Sequence, residues 1–410
     1  MQSETDIVVI GAGAAGLMAA IHAARRDSNA SILVLDGARK LGAKILIAGG
    51  GRCNVTHDVV DEKAFAGSSR NAIRKVLRRF DVPATTAFFA GLGVELKREE
   101  TGKLFPVTDD ARTVLNALLA EARVRGVQIA HPHRVSSVTR DAGGFRVEAG
   151  EYEAHSTRVI VATGGMSIPK SGSDGFGYSL VRSLGHSTTP LFTPGLVPLT
   201  LPRDHFLCSL SGVTIPATLD LRSGTGKLLV SFTDSTLLTH FGLSGPSVLD
   251  ISRYYLYAVH EDPLTVLSIN FLPGTTLEEL DRSLQNLGGA QVGTFLRARL
   301  PERLAHALCE HARVSPQSHQ LTREARRALS HAVTQLSLRV ASRGYNFAEV
   351  TAGGVPLSEL KLETMESRVC EGLYLCGEIC DVDGRIGGYN FQWAWSSGYV
   401  AGISAARPPG

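Results

Sequence analysis

At 410 residues the chain is long enough for about two or three domains, and 43% apolar with 20% charged residues is an ordinary globular composition. A formal net charge of +3 does not by itself imply a nucleic-acid or anionic-membrane partner. Six cysteines at 53, 208, 309, 370, 376 and 380 show no CxxC or zinc-type spacing, which fits a reducing compartment rather than a disulfide framework and predicts no metal site. The run Ile7 to Ala24 lacks charged residues, yet Glu4 and Asp6 stand where a signal peptide needs basic ones. A cytoplasmic protein without a membrane segment is expected.

Asp6 to Ile10 reads as a buried strand. Gly11-Ala-Gly-Ala-Ala-Gly16 follows it directly and opens a helical run to Arg26, and Ser31 to Leu35 is a second strand ending at Asp36. This is the dinucleotide fingerprint in the context it requires. Gly11 permits the tight turn, Gly13 lets a pyrophosphate reach the backbone, Gly16 permits close packing of helix on strand, and Asp36 can accept from ribose hydroxyls. An Asp at 36 argues against the 2′-phosphate of NADP here. In the next loop Gly49, Gly50 and Gly51 precede Arg52, Cys53, Asn54 and Thr56. Bare N–H groups plus a guanidinium suit pyrophosphate or the polar edge of an isoalloxazine. Cys53 reads as a small thiol beside a cofactor rather than a redox group.

Arg70 to Phe80 places Ile73, Val76, Leu77 and Phe80 on one helical face and Arg70, Arg74, Lys75, Arg78 and Arg79 on the remainder, read as a solvated face because no aromatic residue interleaves. A hairpin around Thr101-Gly102, a helix from Asp109 to Arg125 and strands near 127–130, 135–139, 145–149 and 158–162 follow. Val159 to Gly165 is an apolar strand running into Thr163, Gly164 and Gly165. No second GxGxxG appears after it, so a dedicated NAD(P)H domain is not expected and NAD(P)H would dock only transiently. Pro194 to Leu272 is rich in short β runs and suggests a small barrel or sandwich. His240 and Ser244 do not form a GxSxG elbow, and Thr275 to Phe347 reads as helical. Leu373 to Leu375 is a last strand, followed by an acidic loop and a helix that opens at Gly387-Gly388 and ends near Gly398. Such a helix start favours partial negative charge, as a reduced flavin carries at N1 and O2.

Gly-Gly-Gly-Arg-Cys-Asn at 49–54, together with Asp381-Val-Asp-Gly384 and Gly387-Gly-Tyr-Asn-Phe-Gln392, resembles the BaiN-like family of NAD(P)/FAD-dependent, aminoacetone-oxidase-like oxidoreductases. The resemblance spans almost the whole chain and includes Gly102 to Val107, Val161 to Gly165, Thr239 to Pro246 and Thr351 to Val355. Asp36, Ala43, Ala48 and His57 depart from the usual Glu, basic residue, Ser and Asn. The resemblance implies FAD. The expected cofactor-binding residues are Gly11, Gly13, Ala14, Ala15, Gly16, Asp36, Gly37, Lys44, Gly50, Gly51, Arg52, Cys53, Asn54, Thr163, Gly164, Gly165, Gly377, Glu378, Asp381, Asp383, Gly387, Gly388, Tyr389 and Asn390. Asp381 or Asp383 would hold the ribityl hydroxyls, while Trp393 and Trp395 read as core before pocket lining.

These readings predict an α/β protein. A discontinuous Rossmann-type FAD-binding domain covers 1–193 and 350–410, with a β-barrel-like insertion at 194–274 and a small helical module at 275–349 that returns to the barrel near its end. The expected activity is hydride transfer between a small organic substrate and flavin, with NAD(P)H or oxygen as the other partner and no catalytic acid or base assigned. Two rival readings are an RNA-binding or RNA-modifying flavoprotein using the Arg70 to Arg79 face, and a non-catalytic nucleotide sensor. The oligomeric state is left open.

Overall fold

The computed structural model describes residues 2–406, which fall into two compact units: 2–192 with 349–406, and 193–348. In the first unit the strand Gln2–Ile10 pairs in parallel with Ile32–Leu35 on one side and with Tyr152–Val161 on the other. Gln128–Ala130 and Leu373–Leu375 extend the parallel array outward on either side. Ile7, Val8, Val9 and Ile10 are all buried, as the central strand of a sheet covered on both faces requires. Their branched side chains fit the pleated surface and alternate between its faces.

Leu375, Val161, Ile10, Leu35 and Ala130 lie side by side across the five parallel strands. Gly11, Asp36, Ala162 and Cys376 therefore emerge from the same edge of the sheet, the carboxyl end at which doubly wound sheets bind ligands. The helices Ala14–Arg26 and Tyr389–Ala405 pack on each other very closely. A methyl group added at Gly398 or Gly402 would lie 2.5 or 2.2 Å from the carbonyl oxygens of Ala15 and Ala19. The second helix runs on to Ala405, past the end expected at Gly398, because its glycines face a neighbouring helix and do not cap it.

The second unit is a single body around one apolar core, shared by the strands and by the helices expected as a separate module. Its seven-stranded sheet begins with Leu336–Leu338 and ends with Ala341–Ser342. Residues Arg339 and Val340 alone connect these opposite edges, a span of roughly 11 Å at full extension, so the sheet has to curl into a barrel-like form. Pro246–Glu261 forms a 16-residue helix inside the stretch read as β-rich. Pro246 starts it, where the missing N–H costs nothing, and Val248, Ile251 and Tyr255 form its buried stripe. Among the described residues no helix is long and apolar enough to cross a membrane.

Candidate functional site

Three chain segments meet at the carboxyl edge of the first unit's sheet. In the fingerprint turn, a methyl at Gly16 would stand 1.8 Å from the Gly11 carbonyl oxygen, so only glycine allows the helix to start this close to the strand. Gly13, in contrast, faces open space, and a methyl group added there would meet no atom within 4 Å. Asp36 closes the turn from the side: Ala12 N donates to its Oδ2 at 2.6 Å and Ala38 N to its Oδ1 at 2.7 Å. Each oxygen keeps a lone pair, so the carboxylate both shapes the loop and retains acceptor capacity. Gly37 packs against Arg134, and Ala14 and Ala15 lie in the helix's first turn.

The second segment, expected as an open loop, contains a turn of helix. Residues 43–47 are helical, and the backbone then breaks at Ala48 and passes through left-handed conformations at Gly49, Gly50, Gly51 and Cys53. Gly50 is exposed with open space around it. Arg52 does not offer a free guanidinium. It donates to Glu99 at 2.6 Å, lies 3.5 Å from Asp109 and stacks 4.0 Å over Phe105. The Glu99 hydrogen bond in particular raises its pKa above the ordinary value. The loop's binding capacity therefore lies in its backbone. Cys53 is fully buried, and burial pushes its thiol up to about 12, so it is no ready thiolate.

The third segment runs from Gly377 to Asn390. Val382–Gly384 pairs with Phe65–Gly67, which fixes Asp383, and Asp381 and Asp383 are both buried. Asn390 spends its side chain on the loop itself, accepting from Gly384 N at 2.8 Å and donating to Gly384 O at 3.0 Å. Gly388 caps the helix at φ 94°, pressed against the Thr56 backbone, and Tyr389 stacks on His57 with centroids 5.0 Å apart. Trp393 and Trp395 are core residues whose indole nitrogens donate to Gly377 O and Val55 O. Cys376 and Cys380 are buried, and burial raises both thiols, Cys376 to about 12.

One cluster ties the second and third segments together. Lys44 Nζ donates to Glu378 Oε2 and to Ser167 Oγ, each at 2.6 Å. Ser167 Oγ and Thr351 N both donate to Glu378 Oε1, and Thr351 Oγ1 accepts from Met166 N. Gly164 and Gly165 pack directly against this carboxylate or its partners. Sequence reasoning assigns no role to Ser167 or Thr351, although each stands beside a Gly-Gly block. A second buried network, in which Gln392 bonds Thr56, Thr85 and Phe80 O, is equally invisible to it.

Asn54 Oδ1, Thr163 Oγ1 and Ser173 Oγ are buried without a hydrogen-bond partner among the described residues. Buried polar atoms rarely stay unpaired, so this trio, beside the open Gly13 and Gly50, fits a polar dinucleotide at the sheet edge. The HI0933-like protein Rossmann domain model matches residues 5–404. The chain belongs to the HI0933-like family.

This HI0933-like chain is 36% identical to a 3-dehydro-bile acid delta(4,6)-reductase of Clostridium scindens, over 98% of this chain and 99% of that protein. It is 35% identical to a ribosomal RNA dihydrouridine synthase of Escherichia coli, over 96% of each. Among solved structures, Escherichia coli quinol fumarate reductase shares the fold at a TM-score of 0.54 and 16% identity, covering 99% of this chain and 70% of that one. The HI0933-like chain is an FAD-dependent oxidoreductase.

Proposed function

We propose that the protein reduces a carbon–carbon double bond conjugated with a carbonyl group in a small organic substrate. The observation that carries this reading is what its two differently named relatives have in common. A 3-oxo-Δ4,6 bile acid and the uracil ring of uridine are dissimilar molecules, yet both names describe saturation of a C=C bond activated by a neighbouring carbonyl. Bound FAD supplies the hydride for such a reaction. The chain's residues position it: 11–16, 36 and 37 hold the adenosine and pyrophosphate half, 50–54 and 163–165 line the middle, and 377–390 take the ribityl and pyrimidine end. Lys44 and Glu378 act by tying the glycine-rich loop that follows residue 44 to the loop 377–390. NAD(P)H is the proposed transient electron donor.

The test is anaerobic reduction of the yellow protein with NADH, NADPH, amines or aminoketones as candidate donors, followed by reoxidation of the reduced flavin with 3-oxo-4-ene steroids. Reoxidation by the enones with a saturated product supports the reading, whereas turnover of amines or aminoketones alone overturns it.

A second reading, uridine reduction in RNA, is favoured by one surface. Arg70, Lys75, Arg78 and Arg79 are exposed on or just beyond the helix Arg70–Leu77, with no acidic partner among the described residues. Steeply salt-dependent RNA binding, lost when these four become Gln, with dihydrouridine in the product, would establish it over the small-molecule reading.

A further inference from the structure

Arg343 lies in the second unit, directly after the short strand Ala341–Ser342. Its guanidinium carbon stands 3.9 Å from the centroid of the Phe241 ring and 3.8 Å from that of Phe347. The cation is held between two aromatic rings.

The backbone makes this clamp rigid. Phe241 sits in the turn between the strands Leu228–Thr239 and Gly242–Ser244, and its carbonyl accepts from Leu201 N at 3.0 Å. Arg343 N donates to Pro198 O at 3.1 Å, and Gly344 N donates to Ser342 Oγ at 2.9 Å. Phe347 is fixed by the short helical turn Tyr345–Phe347, its N–H bonded to Gly344 O.

The guanidinium itself, in contrast, is uncommitted. Among the described residues no carboxylate, carbonyl or hydroxyl accepts from it. Two other arginines that stack on rings are also hydrogen-bonded, Arg52 to Glu99, and Arg299, over Phe295, to the Phe295 carbonyl, but neither lies under 4 Å from two rings. When rings cover its two faces, a guanidinium presents its N–H groups along its edge, the fork that pairs with two oxygens of one anion. Phe347 beside it is 47% exposed, an apolar surface next to a cation.

We infer that Phe241, Arg343 and Phe347 form a binding site for a carboxylate or phosphate group on a ligand whose apolar portion rests against Phe347. The inference stands on the clamp and not on which bond is reduced.

The test uses the full-length holoprotein. Phenylglyoxal modification of Arg343 is followed by peptide mass spectrometry in the presence of benzoate, inorganic phosphate, neutral benzamide or sodium chloride at matched concentration. Protection by about tenfold from benzoate or phosphate, with none from benzamide or chloride, is the expected result. Benzoate alone protecting identifies a carboxylate ligand, and phosphate alone a phosphate ligand. Equal protection by benzamide, or none by either anion, overturns the site. Arg343→Lys and Arg343→Met provide the second arm, read by saturation-transfer NMR of benzoate on variants with an unchanged melt. Both should lose the signal, Lys because it retains charge without the fork, and an undiminished signal in Arg343→Met overturns the assignment. If neither variant folds, the protection experiment on the unaltered protein decides.

Discussion

Lys44 and Glu378 form an ion pair of 2.6 Å although 334 positions separate them in the chain. Their side chains are mostly covered, 26% and 17% exposed, and Ser167 and Thr351 complete the carboxylate's hydrogen bonding. Glu378→Ala would remove the one carboxylate that accepts from Lys44, Ser167 and the Thr351 amide. The expected loss is about 1 to 3 kcal/mol of stability, together with faster FAD release, measured by urea melts and by flavin retention through dialysis. Glu378→Gln, which keeps acceptor capacity but no charge, should fall between.

Asp36 carries two separable duties. Its bonds to Ala12 N and Ala38 N exist without any ligand, and its remaining lone pairs are the proposed acceptors of ribose hydroxyls. Asp36→Ala should therefore lower the melting temperature of flavin-free protein as well as FAD affinity, the latter by roughly 1.5 to 3 kcal/mol. A variant with unchanged FAD retention would remove the ribose assignment and leave only the loop role.

His22 gives the protein an acid-side weakness. It is buried among Phe80, Phe88 and Tyr399, and its Nε2 has no hydrogen-bond partner among the described residues. Burial first, and the nearby Arg25 second, push the imidazole down from 6.5 to about 3. The unfolded chain therefore takes up this proton near pH 6.5 while the folded chain refuses it until about pH 3. The stability involved is complete above pH 6.5 and drains away as pH falls through that window, at up to about 1.4 kcal/mol per unit. His22→Phe should flatten the acid limb of a stability–pH curve measured by urea melts, relative to the unaltered protein.

The cysteines should differ sharply in reactivity. Of the six, Cys208 alone is not buried, and Cys53 is fully enclosed with its thiol pushed to about 12. Iodoacetamide at mildly alkaline pH should label Cys208 first, with Cys53 labelled only as the fold is lost, as peptide mass spectrometry will report. Cys53→Ser should leave flavin reduction intact. A large loss of reduction without loss of flavin would give Cys53 a redox role after all.

Gly402→Val tests the contact between the first and last helices. Even a single methyl at this position would lie 2.2 Å from Ala19 O, so the helices must separate. The expected cost is about 1 to 3 kcal/mol, read as a lower melting temperature.

The parts of the site most legible in the sequence are those built locally. Ile10, Gly11, Gly16 and Asp36 follow one another through strand, turn, helix and strand, so spacing alone reveals them. Arg52 reads from its chain neighbours as a fixed guanidinium facing a cofactor, but its partners Glu99 and Asp109 come from elsewhere, and only tertiary structure shows what engages it. The helix Pro246–Glu261 is hidden for a different reason. Its Tyr254, Tyr255 and Tyr257 favour strands in isolation, and packing of the Val248, Ile251 and Tyr255 stripe overrides that preference. The return of the chain to the barrel near residue 349 is expected from the sequence, but that residues 336–342 supply both edges of the sheet leaves little trace in local periodicity.

The parallel pairing of Val161 with Leu375 places synthesis and assembly in opposite order. Residues 193–348 are contiguous and can collapse as soon as they leave the ribosome, whereas the unit that begins first lacks a strand of its sheet until residue 375 has been made. It also lacks the helix that covers Ala15 and Ala19 until residue 405. The nascent amino-terminal portion must therefore wait with an uncovered apolar face, a long-range closure that slows folding and exposes it to aggregation or chaperone capture. If the loop 377–390 takes the ribityl and pyrimidine end as proposed, flavin cannot be fully enclosed before that loop has been made, and loading is a late event of synthesis.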